Sequence, residues 1–189
     1  MRNLSKTSNN FCSGNFLVIV YKYSIRNQLS LVSLDDNPWI TQQMKVCFGT
    51  KNNTFGTFYI NQEGALYSLK LVHRSGYVSC VGSGKLPYAK SNWFCSKTNP
   101  VDKACIGVMI TDQWNTRIFP KDVGSISKDF YLLPGYHCMS PSVAFVDFST
   151  PMYATLGLEL RVWYGEDLHD SSEVDNSGTA CVDVYAKFS

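Results

Sequence analysis

Five carboxylates fall within ten residues of one stretch: Glu166, Asp167, Asp170, Glu173 and Asp175, with Asn176 and Gly178 close behind. Acids spaced this way can bring several oxygens to one point. A hard cation such as calcium takes about six to eight oxygen ligands from carboxylates, amide carbonyls and water. Glu166, Asp167, Asp170, Glu173, Asp175 and Asn176 are therefore the candidate ligands of a divalent cation, and Ca2+ is the cation that suits them. The stretch is not an EF-hand, because the Asp-x-Asp-x-Asp-Gly pattern and its terminal Glu are absent. The competing reading is a solvated loop. Packed acids repel only weakly in water, and Asp175-Asn176-Ser177-Gly178 has the composition of an Asx-type turn.

The elements on either side must position this loop. Before it, "LELRVWY" (158–164) sets Leu158, Leu160, Val162 and Tyr164 against Glu159, Arg161 and Trp163. After it, "CVDVYAKF" (181–188) sets Val182, Val184 and Ala186 against Asp183, Tyr185 and Lys187. Both have period two, which suits a sheet with one wet face. "TFGTFYI" (54–60) and "ALYSLKLVH" (65–73), joined through "NQEG", read as a hairpin. Arg74-Ser75-Gly76 reads as a turn into "YVSCV". "ACIGVMIT" (104–111), "DFYLLP" (129–134) and "SVAFVDF" (142–148) are further strand candidates, with Pro134, Pro141 and Pro151 at their boundaries. No segment sustains helical periodicity. The fold expected is all-β, an antiparallel β-sandwich or jelly roll. It should occupy 44–189, behind an N-terminal strand and linker over 1–43 that contains "FLVIVYKYSI".

With 189 residues, one domain with a short extension is the default. Lys and Arg total 17 against 15 Asp and Glu, so charge offers no basic face for nucleic acid. The longest apolar run near the start, Phe16 to Tyr21, falls short of the roughly 7–15 residues of a signal-peptide core and the roughly 20 of a membrane span. Seven cysteines, none in a CxxC pair, argue against a zinc ribbon and for disulfides in an oxidising compartment. Six should pair, leaving Cys12 over; Cys138–Cys181 and Cys95–Cys105 are the pairs that the spacing suggests. Asn52-Asn53-Thr54 and Asn3-Leu4-Ser5 fit the glycosylation sequon of a secreted chain.

Catalytic signatures are sparse. "VGSGKL" (81–86) fails the phosphate-loop pattern, which needs Gly at 79 and Ser or Thr at 86 where the chain has Ser79 and Leu86. There is no GxSxG and no HExxH. His73, His137 and His169 are read as surface or hydrogen-bonded residues. Of the tryptophans, Trp114 in "DQWNTR" is the candidate for an exposed ring on which a sugar could stack.

Two stretches carry a resemblance. "SLKLVHRSGYVSC" (68–80) and "LELRVWYGEDLHDSSEVDNSGTACVDVYAKF" (158–188) resemble an uncharacterised secreted module of marine-invertebrate, coral-like extracellular matrix proteins, over roughly residues 50–188. The resemblance implies an extracellular setting and transfers no functional residues. The reading that follows is a secreted binding module for a glycan, a matrix component or another protein, calcium-dependent if the acid loop holds the ion, and not an enzyme. The alternative is a structural component of an extracellular or mineralising matrix; a hydrolase ranks third.

Overall fold

In the C-terminal strand every second residue, Ala180, Val182, Val184, Ala186 and Phe188, is buried. That strand organises the larger of two facing sheets. A computed structural model describes residues 37–82, 89–95, 105–121 and 127–189. The strands are β1 (Ile40–Gly49), β2 (Gly56–Tyr59), β3 (Gly64–Gly76), β4 (Cys105–Ile106), β5 (Val108–Asp112), β6 (Arg117–Phe119), β7 (Tyr131–Leu132), β8 (Ser142–Val146), β9 (Met152–Ala154), β10 (Glu159–Tyr164) and β11 (Thr179–Phe188). The larger sheet runs β1-β11-β3-β8, with β9 also on β3; the second runs β2-β10-β5-β6; β4 and β7 form a small ladder. All these pairings are antiparallel. Leu69, Leu71, Val143 and Phe145 of one sheet belong to the same buried cluster as Phe58, Ile110, Leu160 and Val162 of the other. The expected antiparallel β architecture is what the chain adopts.

Three local expectations are corrected. "NQEG" does not close a hairpin: β2 pairs with β10, while β3 pairs with β11, β8 and β9, so the segment crosses between sheets. Asn61 is fixed at the crossing by Gln42 and the Thr41 carbonyl, its amide at 3.0 Å and its Nδ2 at 2.7 Å. Arg74-Ser75-Gly76 is not a turn either. β3 continues through it because Ser75 and Gly76 pair with Cys181 and Ala180. The outer face of β11 is drier than period two implies. Asp183 is buried, paired with Arg74 and accepting the Lys45 amide at 3.0 Å; Lys187 is buried with its ammonium 5.1 Å from the Trp39 ring.

Disulfides join Cys47 to Cys181 and Cys80 to Cys95. The expected pairs Cys138–Cys181 and Cys95–Cys105 are therefore wrong. Cys181 sits directly opposite Cys47 in the β1–β11 ladder, a cross-strand contact that sequence separation cannot reveal. Residues 40–43, placed in the N-terminal extension by sequence, begin β1. Cys12, Asn3, the leading strand expected from "FLVIVYKYSI" and most of "VGSGKL" lie outside the described residues. Among the described residues no helix is long and apolar enough to cross a membrane.

Candidate functional site

After β10 the chain makes one helical turn, α1 (Gly165–Leu168), then a 3-10 turn at Glu173–Asp175, before entering β11. Gly165 is required at the entry: its amide donates to the Gly107 carbonyl at 2.7 Å, and a Cβ there would meet the Asp129 carbonyl oxygen at 2.0 Å. Opposite the loop lies the β1–β2 connection. Asn52 and Asn53 both adopt left-handed backbone (φ 62° and 57°), which asparagine tolerates better than most residues. Gly49 closes that turn by donating to the Thr54 carbonyl at 2.7 Å.

The acid loop clasps this turn. Asp167, fully buried, accepts the Asn53 amide at 2.8 Å on Oδ1 and the Thr54 amide at 3.0 Å on Oδ2. Glu173 accepts the Asn52 amide at 3.1 Å. Asn176 donates from Nδ2 to the Thr50 carbonyl at 3.0 Å, and the Thr50 hydroxyl donates to the Gly178 carbonyl at 3.5 Å. Three consecutive amides are thus held by two carboxylates. Burial pushes the Asp167 carboxyl up to about 6; the Asn53 and Thr54 amides pull it down, while the hydrogen bond and negative charge of Glu173 raise it further. The Asp167 carboxyl is therefore protonated in the lower pH range, and its charge above that range stands against the negative charge of Glu173.

Of the six residues singled out by sequence, Asp167, Glu173 and Asn176 meet the turn. Glu166 contributes its carbonyl, which accepts the Ser171 amide at 2.9 Å. Asp170 and Asp175 are exposed. Among the described residues no three His, Cys, Asp or Glu side chains gather where they could hold a metal ion, so the expected meeting of three or more carboxylates is not seen. The physical reason is local: both Asp167 oxygens face amides. The Asn176 Oδ1 is buried without a hydrogen-bond donor and lies next to the clasp through its own Nδ2.

A cleft of about 470 Å³ opens beside the clasp, lined by Gly49, Thr50, Lys51, Asn52, Thr54 and Phe55 on one side and Gly178 and Thr179 on the other. Phe55 extends it into an aromatic strip. Its ring lies 4.6 Å from that of Trp163, and the Arg161 guanidinium sits over it at 4.3 Å. Arg161 also pairs with Glu159 at 2.8 Å and donates to Asn115 Oδ1 at 3.0 Å. Asn115 belongs to the β5–β6 hairpin. Asp112 Oδ1 shapes that hairpin by accepting the Trp114 and Thr116 amides at 2.9 and 2.8 Å, and Trp114 stands 75% exposed. The sequence singled out Trp114 but missed the Phe55–Arg161 stack, because residues 55 and 161 meet only through the β2–β10 pairing. The adjacent asparagines at 52 and 53 were the legible sign of a left-handed turn.

A second cleft, of about 360 Å³, is lined by Lys121, Phe145, Asp147 and Phe148 among others. Its carboxylate is already saturated: Asp147 accepts from Ser149, Thr150 and the Lys121 ammonium. Burial alone would raise that carboxyl, but these donors outweigh it and hold it well below the usual carboxylate range. The histidines are all hydrogen-bonded: His73 to the Gly76 carbonyl, His137 to the Met139 amide, and His169 to Asp129 at 2.9 Å.

The raised Asp167 carboxyl makes a measurable prediction. Asp167 moves from an ordinary value of 3.8 to about 6 on folding. The folded state therefore binds the proton more tightly, and the stability this gives is whole below about pH 4 and lost as pH rises through about 6. Glu173→Gln removes the neighbouring charge. Its thermal midpoint should fall less than that of the parent between pH 4.5 and 7.5; equal slopes would mean that Glu173 does not act on Asp167.

No family model matches the chain, and neither does any curated protein. Among solved structures it is similar to AJLec from the sea anemone Anthopleura japonica, with a TM-score of 0.72 and 34% identity over 81% of this chain and 98% of that one. The marine-invertebrate resemblance is thereby supported, through a sea-anemone protein and not through coral matrix proteins. With that identity spanning nearly all of the anemone protein, the chain belongs to the AJLec family.

Proposed function

We propose that this chain is a carbohydrate-binding module that works outside the cell and without catalysis. The observation that carries the reading is its kinship with AJLec, a lectin-like protein, over almost the whole of that chain. The disulfides Cys47–Cys181 and Cys80–Cys95 are consistent with an oxidising, extracellular setting.

The surface that suits a glycan is the cleft at Thr50–Phe55 together with the exposed Trp114. Thr50, Lys51, Asn52 and Thr54 supply hydroxyl, ammonium and amide groups at the cleft. The Phe55–Arg161–Asn115 chain of contacts leads from there to the β5–β6 hairpin that carries the exposed Trp114. An aromatic face with polar groups beside it matches a sugar ring, which has apolar C–H patches rimmed by hydroxyls. Calcium belongs to this proposal as a ligand of the acid loop. Asp167 and Glu173 already stand against each other, and the orphaned Asn176 Oδ1 lies on the same loop. Glu166, Asp170 and Asp175 would have to turn inward to complete a set of six to eight oxygens.

A glycan array run with calcium and with a chelator tests the reading. Binding to a defined set of glycans is expected, with loss in chelator if the acid loop holds the ion. Trp114→Ala should weaken binding about 2–10-fold without moving the thermal midpoint, the worth of one ring face at an exposed site. Blank arrays under both conditions, together with affinity for mineral or for a matrix protein, would replace this reading with the structural-matrix one.

A further inference from the structure

We propose that Cys105 and Cys138 form a third covalent staple, a buried disulfide that ties β4 to the chain just before β8. Both side chains are buried within the main core cluster and lie outside the Cys47–Cys181 and Cys80–Cys95 bridges. The backbone brings them to the same place. The Cys138 carbonyl accepts the Asn92 and Trp93 amides at 3.0 and 3.1 Å. The Trp93 carbonyl accepts the amide of Gly107, two residues beyond Cys105, at 2.8 Å. Trp93 is therefore gripped by the turn at Cys138 on one side and by the β4 segment that starts at Cys105 on the other. Its indole Nε1 donates to the Ser140 carbonyl at 2.6 Å, which fixes the 138–140 segment further.

The two sulfurs also feel each other. Burial pushes the Cys138 thiol up, and the neighbouring Cys105 sulfur adds to the rise. A thiol raised in this way is a poor leaving group, so a bridge at this place would open slowly by exchange once closed. Closure is an oxidation: each thiol loses its proton, the sulfur–sulfur bond forms, and the two electrons reduce a small-molecule or protein disulfide to two thiols. The staple has a consequence for the candidate site. Gly107, next to β4, accepts the Gly165 amide at which the acid loop begins. Fixing β4 from below would hold the entry of that loop in place.

The test uses the full chain secreted from a eukaryotic host. Peptide mapping without reduction, with alkylation in denaturant, should recover a Cys105–Cys138 linked peptide. Neither cysteine should carry the alkylating label. Cys138→Ser should expose one new reactive thiol, at Cys105, and lower the thermal midpoint by roughly 5–15 °C. If that variant fails to fold, mapping of the parent chain decides alone. Recovery of Cys105 and Cys138 as two labelled, unlinked peptides while Cys47–Cys181 and Cys80–Cys95 remain linked would overturn the proposal.

Discussion

Replacing Asp167 by Ala is expected to lower the stability of the fold and open the candidate cleft, with a cost that depends on pH. Two amides, of Asn53 and Thr54, lose their acceptor in a place shut off from water. A buried donor left without a partner costs about 1–3 kcal/mol, so the pair sets a loss on the order of 2–6 kcal/mol. Against this stands the strain that the substitution relieves. A carboxyl raised from 3.8 to about 6 carries an ionisation penalty in the folded state above that range. At 1.36 kcal/mol per unit, the penalty is on the order of 3 kcal/mol at neutral pH and absent below the unfolded value. The net cost of Asp167→Ala should therefore be largest near pH 4 and shrink towards pH 8. Denaturant unfolding at both values measures it. A cost that grows with pH would show that the ionised carboxylate, and not the protonated carboxyl, holds the turn. In a glycan-binding assay the same substitution should reduce affinity even where the fold persists, since residues 50–55 would no longer be held in one shape.

The strand assignments were legible because period two is a short-range property. In β10 and β11 each residue's face can be read from its immediate neighbours, and Leu160, Val162, Val182 and Val184 are all fully buried as that pattern implies. What could not be read is which strand pairs with which. The hairpin expected at residues 61–64 failed on this ground, since either pairing of β2 leaves its own alternation unchanged. The disulfides failed for the same reason: Cys47 and Cys181 are 134 residues apart in sequence and opposed in the ladder. The acid loop was half legible. Its density of carboxylates pointed to a polar task, and three of the six residues perform one. Their partners, however, are backbone groups of the turn, the amides of residues 52–54 for Asp167 and Glu173 and the Thr50 carbonyl for Asn176, and backbone groups leave no mark in a sequence. Exposed Trp114 was found from its loop-like neighbours alone, whereas buried Trp163 was assigned to a wet face. Its strand position does face outward, but Phe55 covers it.

That cover is the basis of the second large effect. Trp163 is 1% exposed although it sits on the outer side of β10, and it is the floor on which Phe55 rests. Truncating a buried tryptophan to alanine removes most of its contacts and leaves a cavity, which costs about 3–5 kcal/mol. Trp163→Ala should therefore shift the unfolding midpoint more than any surface change in the cleft. It should also loosen Phe55 and, through it, the Arg161 guanidinium stacked on that ring. Trp163→Phe makes a sharper comparison. The indole Nε1 of Trp163 is buried without a hydrogen-bond acceptor, an arrangement worth about 1–3 kcal/mol against the fold. Phenylalanine keeps a ring under Phe55 and removes the unmet donor, so the two terms oppose each other. The expected loss for Trp163→Phe is under about half that for Trp163→Ala, since the smaller cavity is offset by the missing orphan. Chemical unfolding of the two variants side by side decides the matter. Equal losses would mean that the indole nitrogen is satisfied in solution, by water reaching the Phe55 edge, and that the strip from the cleft to Trp114 is wetter than its packing implies.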